Sequence, residues 1–444
     1  MKRHAGFCAV LFLVHGAFSE EPGLAVHGAS WAGIGRIENS EYTEGSSTDY
    51  NDNWLQQSGV VLGLNSRINE EWTVNFGLGA AYVHLPRGSK GAANLWYPFW
   101  VAFVPELNFT YSRTAWPWEE SRFNFTFGKF AYSYNHDSKN LGNYLLNGYV
   151  YPNILVSAQG SLAQAPKSPT GAMIGWGHKS FQNDLLLLTE TDYAPLYDLS
   201  LADVFSFNVA PGMKLGGGIN FSRFYQQAGS DCVPSELGQN SRNSKGEGCQ
   251  VFVPDANGEI YVLDANGIPT DSIREKVDVP RSGIKLMGQI SFDPKQWIGE
   301  GIPFGKNDLV LYSEIAILGL QDYPVYYNDI KRRIPIMVGF NFPTFGLFNL
   351  SAEVEYFASK NSSNSLNAES GATAPFIQQG VNTGRDDWKY SVNASVVLLG
   401  SVEISGMVAN DHIRLGGTHN VANGLEALNT LQDWYWTTKV AYFF

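Results

Sequence analysis

The sequence predicts an all-β chain: a transmembrane, antiparallel, up-and-down β-barrel of about sixteen strands, with short turns at one end and long loops at the other. Three observations point there. Almost every stretch alternates large apolar residues with small or polar ones, the period of a strand with two unlike faces. The chain has 444 residues, 44% hydrophobic and 14% aromatic with 46 Gly, yet no stretch supplies the ~18 uninterrupted apolar residues of a spanning helix. Gaps between the alternating stretches run long, short, long.

Lys2 and Arg3 precede a short apolar stretch, Ala5 to Phe18, and Ala17-Phe18-Ser19 ends it in small-residue spacing. This reads as a signal peptide over 1–19, with the barrel over 20–444. Cys8 lies inside the signal and is not read as a lipid anchor.

The first strand is expected near Leu24 to Ile37, followed by a polar loop through Asp49 and Asn53. The second, near Ser58 to Ile68, turns at Asn69-Glu70-Glu71 into the third, Trp72 to His84. There Trp72, Val74, Phe76, Leu78, Ala80 and Tyr82 share one face and Thr73, Asn75, Gly77 and Gly79 the other. A fourth ends in Glu106 to Tyr111 and a fifth covers Arg122 to Tyr134. The sixth and seventh, near Gly171 to Ser180 and Asp184 to Asp192, flank Phe181-Gln182-Asn183. The eighth and ninth, Ala202 to Val209 and Lys214 to Gln226, flank Ala210-Pro211-Gly212. The tenth to thirteenth are expected at Ile284 to Phe292, Asp308 to Leu318, Ile334 to Phe342 and Leu347 to Phe357. Trp388 to Leu399, Val402 to Val408 and Trp434 to Phe444 complete the set. The first, seventh and eighth alternate poorly. An even count lets the last strand close against the first, with both termini on the short-turn side.

The closing strand puts Phe444, Tyr442, Val440, Trp436 and Trp434 on one face and Tyr435, Thr437 and Lys439 on the other. Its aromatic terminal residue resembles the sorting signal of bacterial outer-membrane barrels. That resemblance implies an outer-membrane location among lipid and lipopolysaccharide, with short periplasmic turns and long extracellular loops.

A barrel this wide has an aqueous lumen unless something fills it. Strand parity turns Arg67, Glu106, Lys285, Glu314, Arg333, Glu353, Glu355, Glu403 and Lys439 inward as pore-lining residues, with Asn75, Asn108, Asn124, Gln289, Asn341 and Asn393. Water would solvate these ionisable groups where a dry core would not. Lys129 falls on the apolar parity, so either a bulge at Gly128 re-aims it inward or it snorkels at a lipid interface.

The long connection after the fifth strand, 135–169, begins Asn135-His136-Asp137-Ser138-Lys139-Asn140-Leu141-Gly142-Asn143-Tyr144. In its position the chain resembles the general porins, sixteen-stranded barrels whose third long loop folds inward and narrows the channel. The resemblance implies that Asp137, Lys139, Asn140, Asn143, Tyr144, Asn147, Tyr149 and Tyr151 form a constriction, although that loop's usual acidic signature is missing. It also implies a homotrimer. Amides and phenols near a few charges suit hydroxyl-bearing solutes. The alternative is a surface loop with a short helix at Leu141 to Leu146.

The longest connection, 227–282, carries Cys232 and Cys249, and in an exported chain a disulfide closing that loop would stabilise it by roughly 3 kcal/mol. A nine-residue repeat, 251–259 against 260–268, places Asn-Gly between β-prone runs and reads as an extracellular hairpin lid. Calcium ligands beyond Asp-x-Asn-Gly are missing, and no zinc, nucleotide or other cofactor motif appears. The formal charge of −12 becomes −14 without Lys2 and Arg3, which argues against nucleic acid and favours cations mildly.

His136-Asp137-Ser138 matches the His-x-Ser arrangement of a barrel phospholipase, in which His activates Ser. His178-Lys179-Ser180 matches it equally, at the opposite end of the barrel, so no enzyme is expected. The sequence therefore reads as a porin, a passive channel for ions, sugars and other small hydrophilic solutes. The alternative is a surface scaffold that binds a polymer or partner through 227–282.

Overall fold

A computed structural model describes residues 23–40, 50–84, 99–114, 119–146, 168–189, 191, 197–225, 249–252, 261–263, 269–273, 276–279, 282–298, 302–320, 329–357, 387–411, 428 and 430–444. The expected signal 1–19, Cys232, and Asn147, Tyr149 and Tyr151 lie outside them, as does the side chain of Cys249.

Sixteen strands close into one antiparallel barrel in sequence order. They are β1 (Leu24–Asn39), β2 (Trp54–Arg67), β3 (Trp72–His84), β4 (Phe99–Phe103 with Leu107–Thr114), β5 (Ser121–Lys129), β6 (Thr170–His178), β7 (Phe181–Thr189) and β8 (Leu199–Ala210). Then come β9 (Met213–Tyr225), β10 (Gly283–Phe292), β11 (Leu311–Ile317), β12 (Ile336–Asn341), β13 (Asn349–Tyr356), β14 (Trp388–Leu398), β15 (Val402–Ala409) and β16 (Trp434–Phe443). Both pieces of β4 pair with β3. Pro105 in the gap has no N–H for the ladder, and Gly77 N donates to Glu106 O across it at 2.8 Å.

β16 pairs with β15 on one side and with β1 on the other, from Ala29↔Phe443 to Asn39↔Trp434. Gly28 N donates to Phe444 O at 2.9 Å, and Phe444 N to Gly28 O at 3.1 Å. Closure leaves the barrel without an open edge, the one way a sheet satisfies its backbone where water is absent.

The two faces differ in chemistry. On the outer face Leu62 stands opposite Leu78, and Phe109 opposite Phe127. Phe127 is 57% exposed and Leu78 52%; rows of such residues make a surface that water disfavours. Aromatic pairs gather at its two ends. Trp54 meets Trp436 at 6.1 Å, Tyr82 meets Trp100 at 5.5 Å and Tyr356 meets Trp388 at 4.8 Å. At the other end Trp72 meets Tyr111 at 5.0 Å and Phe181 meets Phe207 at 4.8 Å. Trp72 and Tyr82 end the outer aromatic row of β3, and the ten residue steps from one to the other rise ~33 Å along a strand, about 25 Å along the axis at the usual barrel tilt.

Several boundaries differ from the sequence expectation, and Lys129 settles on one of its two alternatives. β5 ends at Lys129, and Phe130 and Tyr134 turn into the interior, where both are buried. The β6–β7 turn is Lys179-Ser180, with Lys179 at φ 52, because Phe181 joins the outer aromatic cluster beside Trp176 at 5.5 Å. β11 starts at Leu311, since Asp308 is held in the preceding turn by Gly305 N and Thr344 Oγ1. The register runs unshifted through Gly128 although its φ is 123, so Lys129 keeps the parity of Phe127 and no bulge re-aims it.

Within 227–282, Cys249–Phe252 pairs with Lys276–Val279 and Tyr261–Leu263 with Pro269–Ile273, as two small ribbons apart from the barrel sheet. The strand that opens the second copy of the repeat pairs with the one just beyond it, while Asn266-Gly267 lie outside the described residues. The strand that opens the first copy pairs beyond the repeat altogether.

Several inner glycines let rings lie flat on the wall. A Cβ on Gly339 would collide with the ring of Tyr312, whose hydroxyl donates to Glu353. Gly339→Ala is expected to displace that ring and destabilise the barrel by about 1–3 kcal/mol, read as a lower denaturant midpoint of the folded, heat-modifiable band.

Candidate functional site

The chain leaves the wall after Lys129 and crosses the interior as far as Leu146. Its apolar side chains carry it there. Phe130, Tyr134, Leu141, Tyr144, Leu145 and Leu146 form one buried cluster with Leu186, Leu188, Ala202, Val204, Met287 and Met337 of the inner wall. β7 and β8 are thus apolar on both faces, outward at Leu185, Leu187, Phe205 and Phe207 and inward under this segment. That accounts for their poor alternation.

Two wall carboxylates fix its backbone. Glu314 on β11 accepts four hydrogen bonds, from Tyr134 Oη at 2.7 Å, Asn135 Nδ2 at 2.9 Å, Asn143 N at 2.9 Å and Tyr144 N at 2.8 Å. Glu353 on β13 also accepts four, from Lys139 N, Asn140 N at 2.9 Å, Leu141 N at 2.8 Å and Tyr312 Oη at 2.9 Å. Consecutive N–H groups converging on one acceptor form a nest that matches a carboxylate's charge. The turn between the two nests needs left-handed backbone, at Gly142 (φ 82) and Asn143 (φ 58). A Cβ on Gly142 would meet Met337 Cε at 2.7 Å and Glu314 Oε2 at 3.1 Å, so only glycine fits.

Further bonds spread the attachment. Tyr144 Oη donates to Glu355 at 2.6 Å, Ser291 Oγ to Asp137 at 2.6 Å, Asn140 Nδ2 to Asp411 at 2.8 Å and Asn220 Nδ2 to Leu145 O at 2.9 Å. Residues 144–146 form a turn, not the short helix of the alternative reading. Ser138 Oγ donates to Leu141 O, which commits that hydroxyl to the turn and away from activation by His136.

Burial, then the charge of Glu314 and the hydrogen bond to it, holds the Tyr134 phenol well above the ordinary tyrosine range. Burial and Glu355 do the same for Tyr144, and burial and Asp184 for Tyr132. A raised phenol pKa contributes stability that is complete below the unfolded value of 10.0 and is lost as pH climbs from there toward the folded value. In a 295 nm alkaline titration these phenols should ionise after the bulk of the 22 tyrosines, together with loosening of the segment. Ionisation of every tyrosine in one early step would contradict this.

The inward-parity residues fall into two groups. Lys285, Glu314, Arg333, Glu353 and Glu355 are buried at 0–4% exposure. Around the other half of the wall, His27 stands 3.6 Å from Glu106 with its side chain 52% exposed; Arg67 is exposed, and Glu403 and Lys439 are half-buried. Asparagines satisfy one another across β2 to β4: Asn65 Nδ2 donates to Asn75 at 2.6 Å and Asn75 Nδ2 to Asn108 at 2.9 Å. Asp137, Lys139, Asn140, Asn143 and Tyr144 all lie in the inward segment. Sequence reasoning missed its apolar anchors and the nests; the Gly-Asn pair after Leu141 and the doubly apolar β7 were the available signals.

No family model and no curated protein matches the chain. Among solved structures it is similar to a triple mutant of the Rh. blastica porin, with 10% identity and a TM-score of 0.42 over 95% of this chain and 100% of that one. A double mutant of the same porin gives 9% identity and a TM-score of 0.42 over the same shares. The barrel itself is established by its own strand pairing.

Proposed function

We propose that this chain is an outer-membrane porin, a passive diffusion channel for small hydrophilic solutes. The observation that carries the reading is the inward course of residues 130–146, which occupies the β7–β13 side of the lumen while charged side chains on the β1–β4 and β15–β16 side remain accessible. An inner segment pinned by backbone bonds to Glu314 and Glu353 suits a fixed constriction, in which Asp137, Lys139, Asn140 and Asn143 meet the solute together with Asn147, Tyr149 and Tyr151. The apolar outer band and its two aromatic ends fit a lipid and lipopolysaccharide surround, with the short turns periplasmic and 227–282 extracellular and closed by Cys232–Cys249. A trimer accords with this reading. Refolded protein in a planar bilayer should give discrete open-channel steps and, under a salt gradient, a mildly cation-selective reversal potential. A silent bilayer containing folded protein would refute it.

A further inference from the structure

We propose that the lumen carries a binding trough for small hydroxylated carboxylates, sugar acids in chemical terms, on the inner face of β5–β9 just above the short turns. The inference rests on the channel reading in one respect, that solute must reach the lumen. A cavity of about 370 Å³ lies there, lined by Arg122, Asn124, Gln182, Asp184, Asn208 and Lys214 among others. That volume is at the small-ligand end of the usual range.

Its floor is β6, which presents glycines inward. A Cβ on Gly177 would meet nothing nearer than Phe181 O at 3.7 Å, and one on Gly175 would meet Asp184 Oδ1 at 3.0 Å. The missing side chains open a groove between Arg122 and Asn124 on one flank and Gln182 and Asp184 on the other. Tyr132, from the inward segment, donates to Asp184 Oδ2 at 3.2 Å beside the groove. The groove is therefore a half-open recess in the side of the lumen.

The charge inside it opposes that of the whole chain. Glu120 is paired with Lys179 at 3.8 Å at the exposed rim. Arg122 has no hydrogen-bond or ion-pair partner among the described residues, and Lys214 acts on Asp184, the remaining acid in the pocket lining, through charge alone. Two cations thus face one carboxylate in a protein of formal charge −12. The Arg122 fork matches a carboxylate in two parallel bonds. Around it stand groups that suit hydroxyls: Asn124, whose oxygen already accepts from Ser112 Oγ at 2.8 Å and whose NH₂ is left to donate, with Asn208, the free edge of Asp184, and Gln182, whose NH₂ donates to Asp184 Oδ2 at 3.4 Å and whose oxygen is left to accept. A neutral sugar would leave the excess cation unanswered, and a bare carboxylate would leave the free amides unanswered.

Equilibrium dialysis of labelled glucuronate against the full chain folded in detergent tests this without reference to conduction. Saturable binding is expected, with glucose and acetate competing about tenfold less well or worse. Arg122→Gln with Lys214→Gln should weaken binding about tenfold or more. Gly177→Leu, which fills the groove and leaves the charges in place, should weaken it comparably; open space above Gly177 lets that variant fold. Absent binding, equal competition by glucose, or affinity unchanged in either folded variant overturns the trough. Saturable binding by a preparation that gives no channel steps would overturn the channel reading alone.

Discussion

Replacing Glu314 and Glu353 together by Gln should free residues 130–146 from the wall and raise single-channel conductance roughly twofold or more. Each carboxylate takes four donors and has no exposed surface to speak of, so water does not screen the loss. Gln keeps one acceptor oxygen and turns its NH₂ toward donors, so about half of these bonds fail at each site. Bonds to a charged group contribute ~1.5–3 kcal/mol each. After relaxation, a loss of about 3–5 kcal/mol would shift the docked–undocked equilibrium by roughly two to four powers of ten. The apolar cluster around Leu145 resists release and sets how far the segment moves. Hydrogen exchange at the amides of Asn140, Leu141, Asn143 and Tyr144 should accelerate in step with conductance. Fast exchange with unchanged conductance would mean that the segment does not narrow the path.

What the sequence made legible follows from which forces are local. Strand period depends on one residue and its second neighbour, so β3 and the closing strand were readable to within a residue of their ends, and pairing β16 with β1 followed from an even count. The turn at Lys179-Ser180 was not, because Phe181 is drawn outward by Phe207 on a neighbouring strand, a contact no local window contains. The inner wall was half legible. Parity placed Glu314, Glu353 and Glu355 inside, where water is the natural solvent for three acids. Peptide N–H groups arriving from 170 to more than 200 residues away take water's place. Nothing near those residues in sequence announces that exchange, although the Leu185-Leu186-Leu187-Leu188 run, apolar on both parities, did mark where the segment would lie.

Leu78→Arg should destabilise the folded barrel by about 2–4 kcal/mol in phospholipid vesicles, while Ala29→Arg should change stability by less than about 1 kcal/mol. The two positions share one sheet and one pattern of backbone bonding, Leu78 opposite Leu62 and Ala29 opposite Val61. They differ in face alone: Leu78 shares the outer row of Phe76 and Trp72, whereas Ala29 shares the inner row of His27 and Trp31. Leu78 sits at the midpoint of β3, six residues from Trp72 and four from Tyr82 at the ends of its outer row, where an Arg has a long reach to water. Denaturant titration of the heat-modifiable band in vesicles measures both effects. Repeating it in detergent should shrink the Leu78→Arg penalty, because a micelle deforms around a charge more readily than a bilayer does. Equal tolerance at both positions in vesicles would place water on both faces of the wall and remove the membrane from the reading. A penalty at Ala29 alone would mean that the apolar rows enclose the lumen and the charged rows face outward, the reverse of the burial seen at Glu314 and Lys285.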